Sequence, residues 1–192
     1  MFLLLLVASL YTFNHRYTLA AVFYQTMGSN DKAIEAFGMA AKADRKNAYA
    51  YYQMGLMLKE KGELDEAELA YKELLNMFAD HPFANYDLGY IYREKRAYKG
   101  ALQQYKRALK IDPENINALY DIGYIYKETG RYQEALQQYK RVLEVDPSHR
   151  YALWDISVVY EKMGMKDKAL EQYEHYHEMT DCSLRRFWNC ID

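Results

Sequence analysis

The sequence of 192 residues is poor in cysteine, proline and glycine, and its net charge is small. The two cysteines, Cys182 and Cys190, lie eight residues apart. Along a helix this is farther than a disulfide can bridge, so they do not indicate an oxidising compartment. Three prolines and nine glycines are too few for a disordered linker or a strand-and-turn fold. A net charge of −2 lacks the basic excess typical of nucleic-acid binding, and no two glycines are close enough for a phosphate-cradling loop.

Tyrosine, by contrast, is abundant, and its 21 copies recur at regular spacing. Residues of one kind return every 34 positions, which indicates stacked structural repeats of that length. Five repeats are predicted, at 14–47, 48–81, 82–115, 116–149 and 150–183. Three rows define them: a small residue at Ala21, Gly55, Gly89, Gly123 and Ser157, an alanine at Ala33, Ala67, Ala101, Ala135 and Ala169, and an aromatic ring at Phe37, Tyr71, Tyr105, Tyr139 and Tyr173.

Each repeat is expected to fold as two helices. In the fourth repeat, apolar residues on both sides of Gly130 recur at three- and four-residue steps, the period of an α-helix. A glycine separates the two halves in four of the repeats, and Pro113 and Pro147 follow second helices, where proline blocks continuation. The small rows should let the paired helices approach closely, while the large rows fill the gaps beside them.

These patterns resemble the tetratricopeptide repeat, a helix–turn–helix unit of 34 residues. Departures occur at Arg96, which stands at the place of the inter-helix glycine, and at Arg45 and Asp181, which replace the final proline. The resemblance implies an all-α fold, a right-handed superhelical solenoid of antiparallel helix pairs, and a scaffold for a peptide or protein rather than catalysis. The fourth repeat carries the whole signature at Leu119, Ile122, Gly123, Tyr126, Ala135, Tyr139 and Pro147.

The same resemblance implies that the second, fifth, ninth and twelfth places of each first helix line a concave groove. Aromatic residues are frequent at these places, and such rings are favoured at binding surfaces because they are large, rigid and polar at one tip. Basic residues form one margin, so the ligand is expected to bring apolar or aromatic anchors and an acidic group. The predicted partner-binding groove comprises Tyr49, Tyr52, Phe83, Tyr86, Tyr90, Arg93, Tyr120, Tyr124, Lys127, Tyr151 and Trp154.

A structural interpretation of these rings stays open, because a solenoid must expose one face and tyrosines at the fifth place also pack between helices. Asp87, Asp121 and Asp155 occupy the neighbouring sixth place and are candidates to form surface ion pairs with Arg93 and Lys127. The same aspartates argue against a chaperone-type clamp, since they would repel the C-terminal carboxylate that such a clamp holds.

No motif predicts catalysis, a cofactor or a metal site. No serine or cysteine has a histidine and a carboxylate at a spacing that the fold would bring together. His175 and Glu178 share a helical face with Cys182, but this pattern is more typical of a solvated amphipathic helix than of a metal site. We therefore expect a protein that is not an enzyme.

The two ends of the chain differ from the repeats. Residues 1–13, MFLLLLVASLYTF, are apolar on all sides, which favours a transmembrane helix that anchors the protein. The alternatives are a cleaved secretory signal and a hydrophobic cap or dimer surface, and with them a soluble protein, secreted or cytoplasmic. A single Arg16 does not determine which side of a membrane the repeats would occupy. Residues 184–192 are expected to form a short capping helix.

Two functions are therefore compatible with the sequence. The first is a membrane-tethered scaffold that binds a peptide or protein in the aromatic groove. The second is a structural subunit that assembles through its terminal hydrophobic segments. Substitution of groove tyrosines would impair the first function, and substitution of terminal residues would impair the second.

Overall fold

The computed structural model describes the backbone of residues 15–188 and the side chains of residues 15–178. The chain divides into two compact parts, the amino-terminal half (Met1–Arg96) and the carboxy-terminal half (Ala97–Asp192). The described residues are helical and include no strand. The helices are α1 (15–26 within the described part), α2 (Asn30–Ala43), α3 (Ala48–Lys61), α4 (Leu64–Met77), α5 (Pro82–Glu94), α6 (Tyr98–Ile111), α7 (Ile116–Glu128), α8 (Tyr132–Val145), α9 (Arg150–Lys162) and α10 (Lys166–Trp188).

Side-chain caps begin four of the odd-numbered helices, which are the first helices of the predicted repeats. The side chains of Asn47, His81, Asn115 and His149 each accept a hydrogen bond from the backbone N–H three residues later. Each bond satisfies an N–H that the first turn of a helix leaves without a partner. Asparagine and histidine alternate, so the caps repeat every 68 residues rather than every 34. The same double period recurs in the side-chain contacts described below.

The turn after a first helix passes through a residue with positive φ. Four of these residues are glycines, with φ between 70° and 86° at Gly28, Gly62, Gly130 and Gly164. Arg96, at the fifth such place, has a φ of 56°. A left-handed conformation costs a residue with a side chain roughly 1 kcal/mol or more. The departure from glycine at this place is therefore accommodated as local strain, and the turn keeps its conformation.

The core of the amino-terminal half lies between successive helices of α1 to α5. Ala21, Ala33 and Phe37 are buried between α1, α2 and α3, while Tyr71 and Ile91 belong to a second cluster between α3, α4 and α5. Tyr71 lies directly against α3, because a Cβ built on Gly55 would come within 2.8 Å of its ring. The small row thus allows the close approach that the sequence predicts.

The carboxy-terminal half is built in the same way from α6 to α10. Tyr105 and Tyr139 are fully buried, and a Cβ on Gly123 would lie 2.7 Å from the ring of Tyr139. Each helix packs on the next one along the chain, from α6 on α7 to α9 on α10. The prediction of an all-α array of helix pairs is confirmed.

Two predictions about the ends are corrected. No helix within residues 15–188 is long and apolar enough to cross a membrane, so the prediction of a transmembrane helix is wrong for this part of the chain. The segment 1–13, to which that prediction refers, lies outside the described residues. At the other end, residues 184–188 continue α10 instead of starting a capping helix, because neither glycine nor proline interrupts the stretch from Lys166 to Trp188. Residues 189–192 lie outside the described part.

Candidate binding surface

In the amino-terminal half, the carboxylate of Asp87 links two first helices, α3 and α5. Asp87 lies on α5 and is buried, and its two oxygens accept hydrogen bonds from Oη of Tyr52 at 3.2 Å and from Nζ of Lys59 at 2.5 Å, both on α3. A buried carboxylate is stable only when it is paired and hydrogen-bonded, and here each of its oxygens has a partner. The contact therefore holds both α3 side chains in one position against α5.

Aromatic rings surround this carboxylate. The ring centroid of Tyr52 lies 5.2 Å from that of His81 and 6.1 Å from that of Phe83, and Nζ of Lys59 lies 5.5 Å from the centroid of the Tyr90 ring. Burial, and then the charge of Asp87, raise the pKa of Tyr52. The phenol is therefore protonated at neutral pH and acts as a hydrogen-bond donor.

The carboxy-terminal half contains the same cluster 68 residues later. Asp155 of α9 is buried, and its oxygens accept hydrogen bonds from Oη of Tyr120 at 2.7 Å and from Nζ of Lys127 at 2.6 Å, both on α7. The Tyr120 ring lies 5.4 Å from His149 and 6.5 Å from Tyr151. Because two separate parts of the chain form the same cluster, the cluster is a property of the double period of 68 residues and not of one local sequence.

Four of the predicted groove residues expose much of their aromatic side chains. The exposed fractions are 47% for Tyr49, 61% for Phe83, 58% for Tyr151 and 43% for Trp154. The other seven predicted groove residues are half-buried. We call Tyr49, Tyr52, Phe83 and Tyr90 the amino-terminal aromatic surface, and Tyr120, Tyr124, Tyr151 and Trp154 the carboxy-terminal aromatic surface.

The structure brings some of these predicted residues together and separates others. Tyr52 is in ring contact with Phe83, and Tyr120 with Tyr151. Tyr49 contacts Phe37 of α2 at 5.9 Å. The Trp154 ring packs on Tyr173 and Tyr176 of α10 at 5.8 Å and 5.4 Å, so it belongs to the end of the array as well as to the aromatic surface.

The predicted cations stand over tyrosine rings and are already paired. Lys127 lies 5.1 Å from the Tyr124 ring centroid while it bonds the carboxylate of Asp155. Arg93 lies 4.8 Å from the Tyr90 ring centroid and forms an ion pair of 2.8 Å with Glu94. Each lysine pairs with the aspartate of the following repeat, 28 residues later, because the twelfth place of one first helix packs against the sixth place of the next. The aspartates of these pairs are buried, so these are not the surface ion pairs that the sequence suggests.

Besides the two aspartates, three residues outside the predicted groove help to build these clusters: Lys59, His81 and His149. Nδ1 of His81 accepts the bond from the Ala84 N–H, so the neutral imidazole carries its proton on Nε2. Burial lowers the pKa of His81, which favours this neutral form. The signal that could have identified the histidines is the alternation of asparagine and histidine before successive first helices.

The buried tyrosines of the aromatic row differ in their hydrogen bonds. Oη of Tyr105 donates to Asp121 at 2.8 Å. The hydroxyls of Tyr71 and Tyr139 have no partner in hydrogen-bond geometry, although burial, and then the nearby charges of Asp87 and Asp155, raise the pKa of both phenols. These groups stay neutral and buried, so they supply no nucleophile or base.

No group of three or more His, Cys, Asp and Glu side chains that could hold a metal ion occurs within residues 15–178. The helix pairs and the exposed rings on their first helices define an all-α repeat scaffold for protein interactions. Family models for the tetratricopeptide repeat match residues 18–82 and 116–149, and a TPR repeat model matches residues 89–130, which together is more than half of the chain. The chain belongs to the tetratricopeptide repeat family.

Solved structures of similar fold include MamA and YrrB. A crystal structure of MamA is 22% identical, with 90% of this chain and 94% of that chain covered and a TM-score of 0.85. MamA of Desulfovibrio magneticus RS-1 is 18% identical, with coverage of 88% and 96% and a TM-score of 0.82. YrrB, described as a TPR protein with an unusual peptide-binding site, is 25% identical, with coverage of 85% and 84% and a TM-score of 0.76. No curated protein sequence matches the chain.

Proposed function

We propose that the protein is a non-catalytic scaffold that binds a peptide or protein partner through its aromatic surfaces. The observation that carries the proposal is the presence, in each half, of exposed rings beside side chains that a buried aspartate holds in place. Phe83 and Tyr151 are more than half exposed, and each contacts a tyrosine bonded to Asp87 or Asp155. Rings held in this way lose little conformational entropy when a ligand binds.

The ligand class that fits best is a peptide with apolar or aromatic anchors. Lys127 is already neutralised by Asp155, so we assign most of the affinity to the rings and only a flanking role to Arg93 and Lys127. Tyr86, a half-buried residue three positions after the exposed Phe83 on α5, is proposed as an addition to the amino-terminal aromatic surface. The peptide-binding site named for YrrB supports a peptide as the class of ligand.

Peptides selected from a displayed library on the full chain provide the probe. Alanine at Tyr49 and Phe83 together should weaken binding of a selected peptide about 30-fold or more, as expected for the loss of buried aromatic anchors. Leu69→Ala is the matched control, because Leu69 is 64% exposed but lies on the second helix α4. Both proteins should keep the helix content of the parent chain at the temperature of the titration.

The corresponding substitution in the other half is Tyr151→Ala, which tests whether both aromatic surfaces bind. Full-strength binding by folded variants of both surfaces, measured by titration of the same peptides, would contradict the proposal. A loss of affinity that follows a loss of helix content would instead support the interpretation of these rings as packing residues.

A further inference from the structure

An open cleft lies between α9 and α10, in the carboxy-terminal half. Its volume is about 360 Å³. Leu170 is 59% exposed and Tyr173 is 40% exposed, although the equivalent residues of the preceding repeat, Leu136 and Tyr139, are buried. Exposed apolar residues in one contiguous patch are typical of an interaction site. The lining includes Trp154, Val158 and Glu161 of α9 and Ala169, Leu170 and Tyr173 of α10.

The preceding helix pair shows what covers such a face. α7 and α8 carry the equivalent residues 34 positions earlier, and there α9 packs on the face. Leu136 is only 6% exposed and Tyr139 is fully buried, in contrast to Leu170 and Tyr173. The face between α9 and α10 therefore has the residue types that accept one more helix. The buried apolar residues of α9 include Ala152, Ile156 and Val159.

The cleft differs from the covered face in the sign of one charge. On α7, Lys127 bonds the carboxylate that α9 brings, Asp155. At the equivalent place of α9, 34 residues later, stands Glu161. A helix that brought a carboxylate to this place would meet a like charge, which weakens its binding, whereas a lysine or arginine would meet an opposite charge.

We propose that the cleft between α9 and α10 binds an amphipathic helix of a partner protein, with a lysine or arginine at the place where α9 carries Asp155. Apolar side chains of that helix pack on Leu170 and Tyr173, while its cation pairs with Glu161. Because α10 continues along its own axis to Trp188, residues 184–188 do not fold back over the cleft. The surface lies at the end of the array and shares only Trp154 with the aromatic surfaces of the proposed function.

Two synthetic peptides of residues 150–162 test the proposal, each held helical by a hydrocarbon staple on its solvent face. One has the natural Asp155, and the other carries the substitution D155K. Binding to the full, ¹⁵N-labelled chain is followed by the indole signal of Trp154, with Trp188→Phe to leave a single indole. The lysine peptide should bind about tenfold more tightly than the aspartate peptide, and Glu161→Lys should reverse this order.

Two further variants locate the interaction. Leu170→Glu should abolish binding of both peptides, while Tyr151→Ala should leave it unchanged, which distinguishes this site from the aromatic surfaces. Lys166 also lines the cleft, and Lys166→Ala should preserve the order of the two peptides. Equal affinity of both peptides for the parent chain, or binding that survives Leu170→Glu, would overturn the proposal.

Two other occupants of the cleft are outcomes of the same experiments. Sedimentation of the parent chain alone would show concentration-dependent association, lost in Leu170→Glu, if a second copy covered the cleft. Deletion of residues 1–13 would shift the indole signal without any peptide if that segment covered it. Either result would assign the cleft to the chain itself and overturn the proposal of a partner helix.

Discussion

Replacement of Gly55 by alanine tests how closely the two helices of a repeat approach. The new Cβ would lie 2.8 Å from Cε1 and 3.0 Å from Cζ of Tyr71, which is closer than carbon atoms pack. Tyr71 is fully buried and cannot move into solvent, so the overpacking should cost roughly 1–3 kcal/mol. Alanine in a helix interior is about 1 kcal/mol more favourable than glycine. We expect a net loss of about 1 kcal/mol in the free energy of unfolding.

Gly38→Ala is the matched control in the same half of the chain. A Cβ at Gly38, within α2, would lie 3.5 Å from Sδ of Met54, an ordinary van der Waals distance. This variant should therefore gain about 1 kcal/mol from helix propensity alone. Since that gain is common to both variants, the difference between them, about 1–3 kcal/mol, measures the overpacking. Gly123→Ala repeats the test against Tyr139, at 2.7 Å.

Urea unfolding followed by the helical circular dichroism signal measures these differences. The midpoint should fall for Gly55→Ala and Gly123→Ala and rise for Gly38→Ala, with similar slopes in all variants. If Gly55→Ala were as stable as Gly38→Ala, the aromatic ring of one helix would not lie against the small residue of the other. The reasoning that connects the small row to close helix packing would then be refuted.

Two further predictions concern buried polar groups. Tyr105→Phe should cost about 1–3 kcal/mol of unfolding free energy, because it removes a hydrogen bond to the charged, buried carboxylate of Asp121. Tyr139→Phe should cost far less, since the Tyr139 hydroxyl has no partner in hydrogen-bond geometry. Equal losses in urea unfolding would contradict this. Burial lowers the pKa of His81 in the folded chain. Below the ordinary histidine pKa of about 6.5, the unfolded chain therefore binds more protons at this residue than the folded chain does. The free energy of unfolding should fall as the pH is lowered from about 6.5 towards the pKa of the folded state. His81→Asn keeps the helix cap and should reduce that fall, so an unchanged pH profile would exclude His81 as its source.

Features that recur in every repeat could be predicted from the sequence, because each repeat provides the evidence again. The pairing of helices and the contact between Gly55 and Tyr71 belong to this class. The partner of each aspartate could not be predicted in the same way. Lys127 is nearer in sequence to Asp121 than to Asp155, and only the packing of α9 on α7 and α8 makes the second pair. The residue at which α10 ends could not be predicted either, because the repeat pattern does not extend to it.

A stack of similar repeats needs contacts that define how one helix lies on the next. Apolar faces of helices with similar residues tolerate a shift along the axis, because one aliphatic side chain can replace another in the same space. A shift of α9 by one turn would move Asp155 away from Lys127 and leave a carboxylate buried without its cation, which costs roughly 3–5 kcal/mol. The buried pairs therefore stabilise one register. The end of the array lacks this arrangement, because Glu161 replaces the lysine and repels a helix that carries aspartate, as α5 and α9 both do. The array thus disfavours extension by its own helices of this type, which is the reason to expect a basic helix from a different protein at that end.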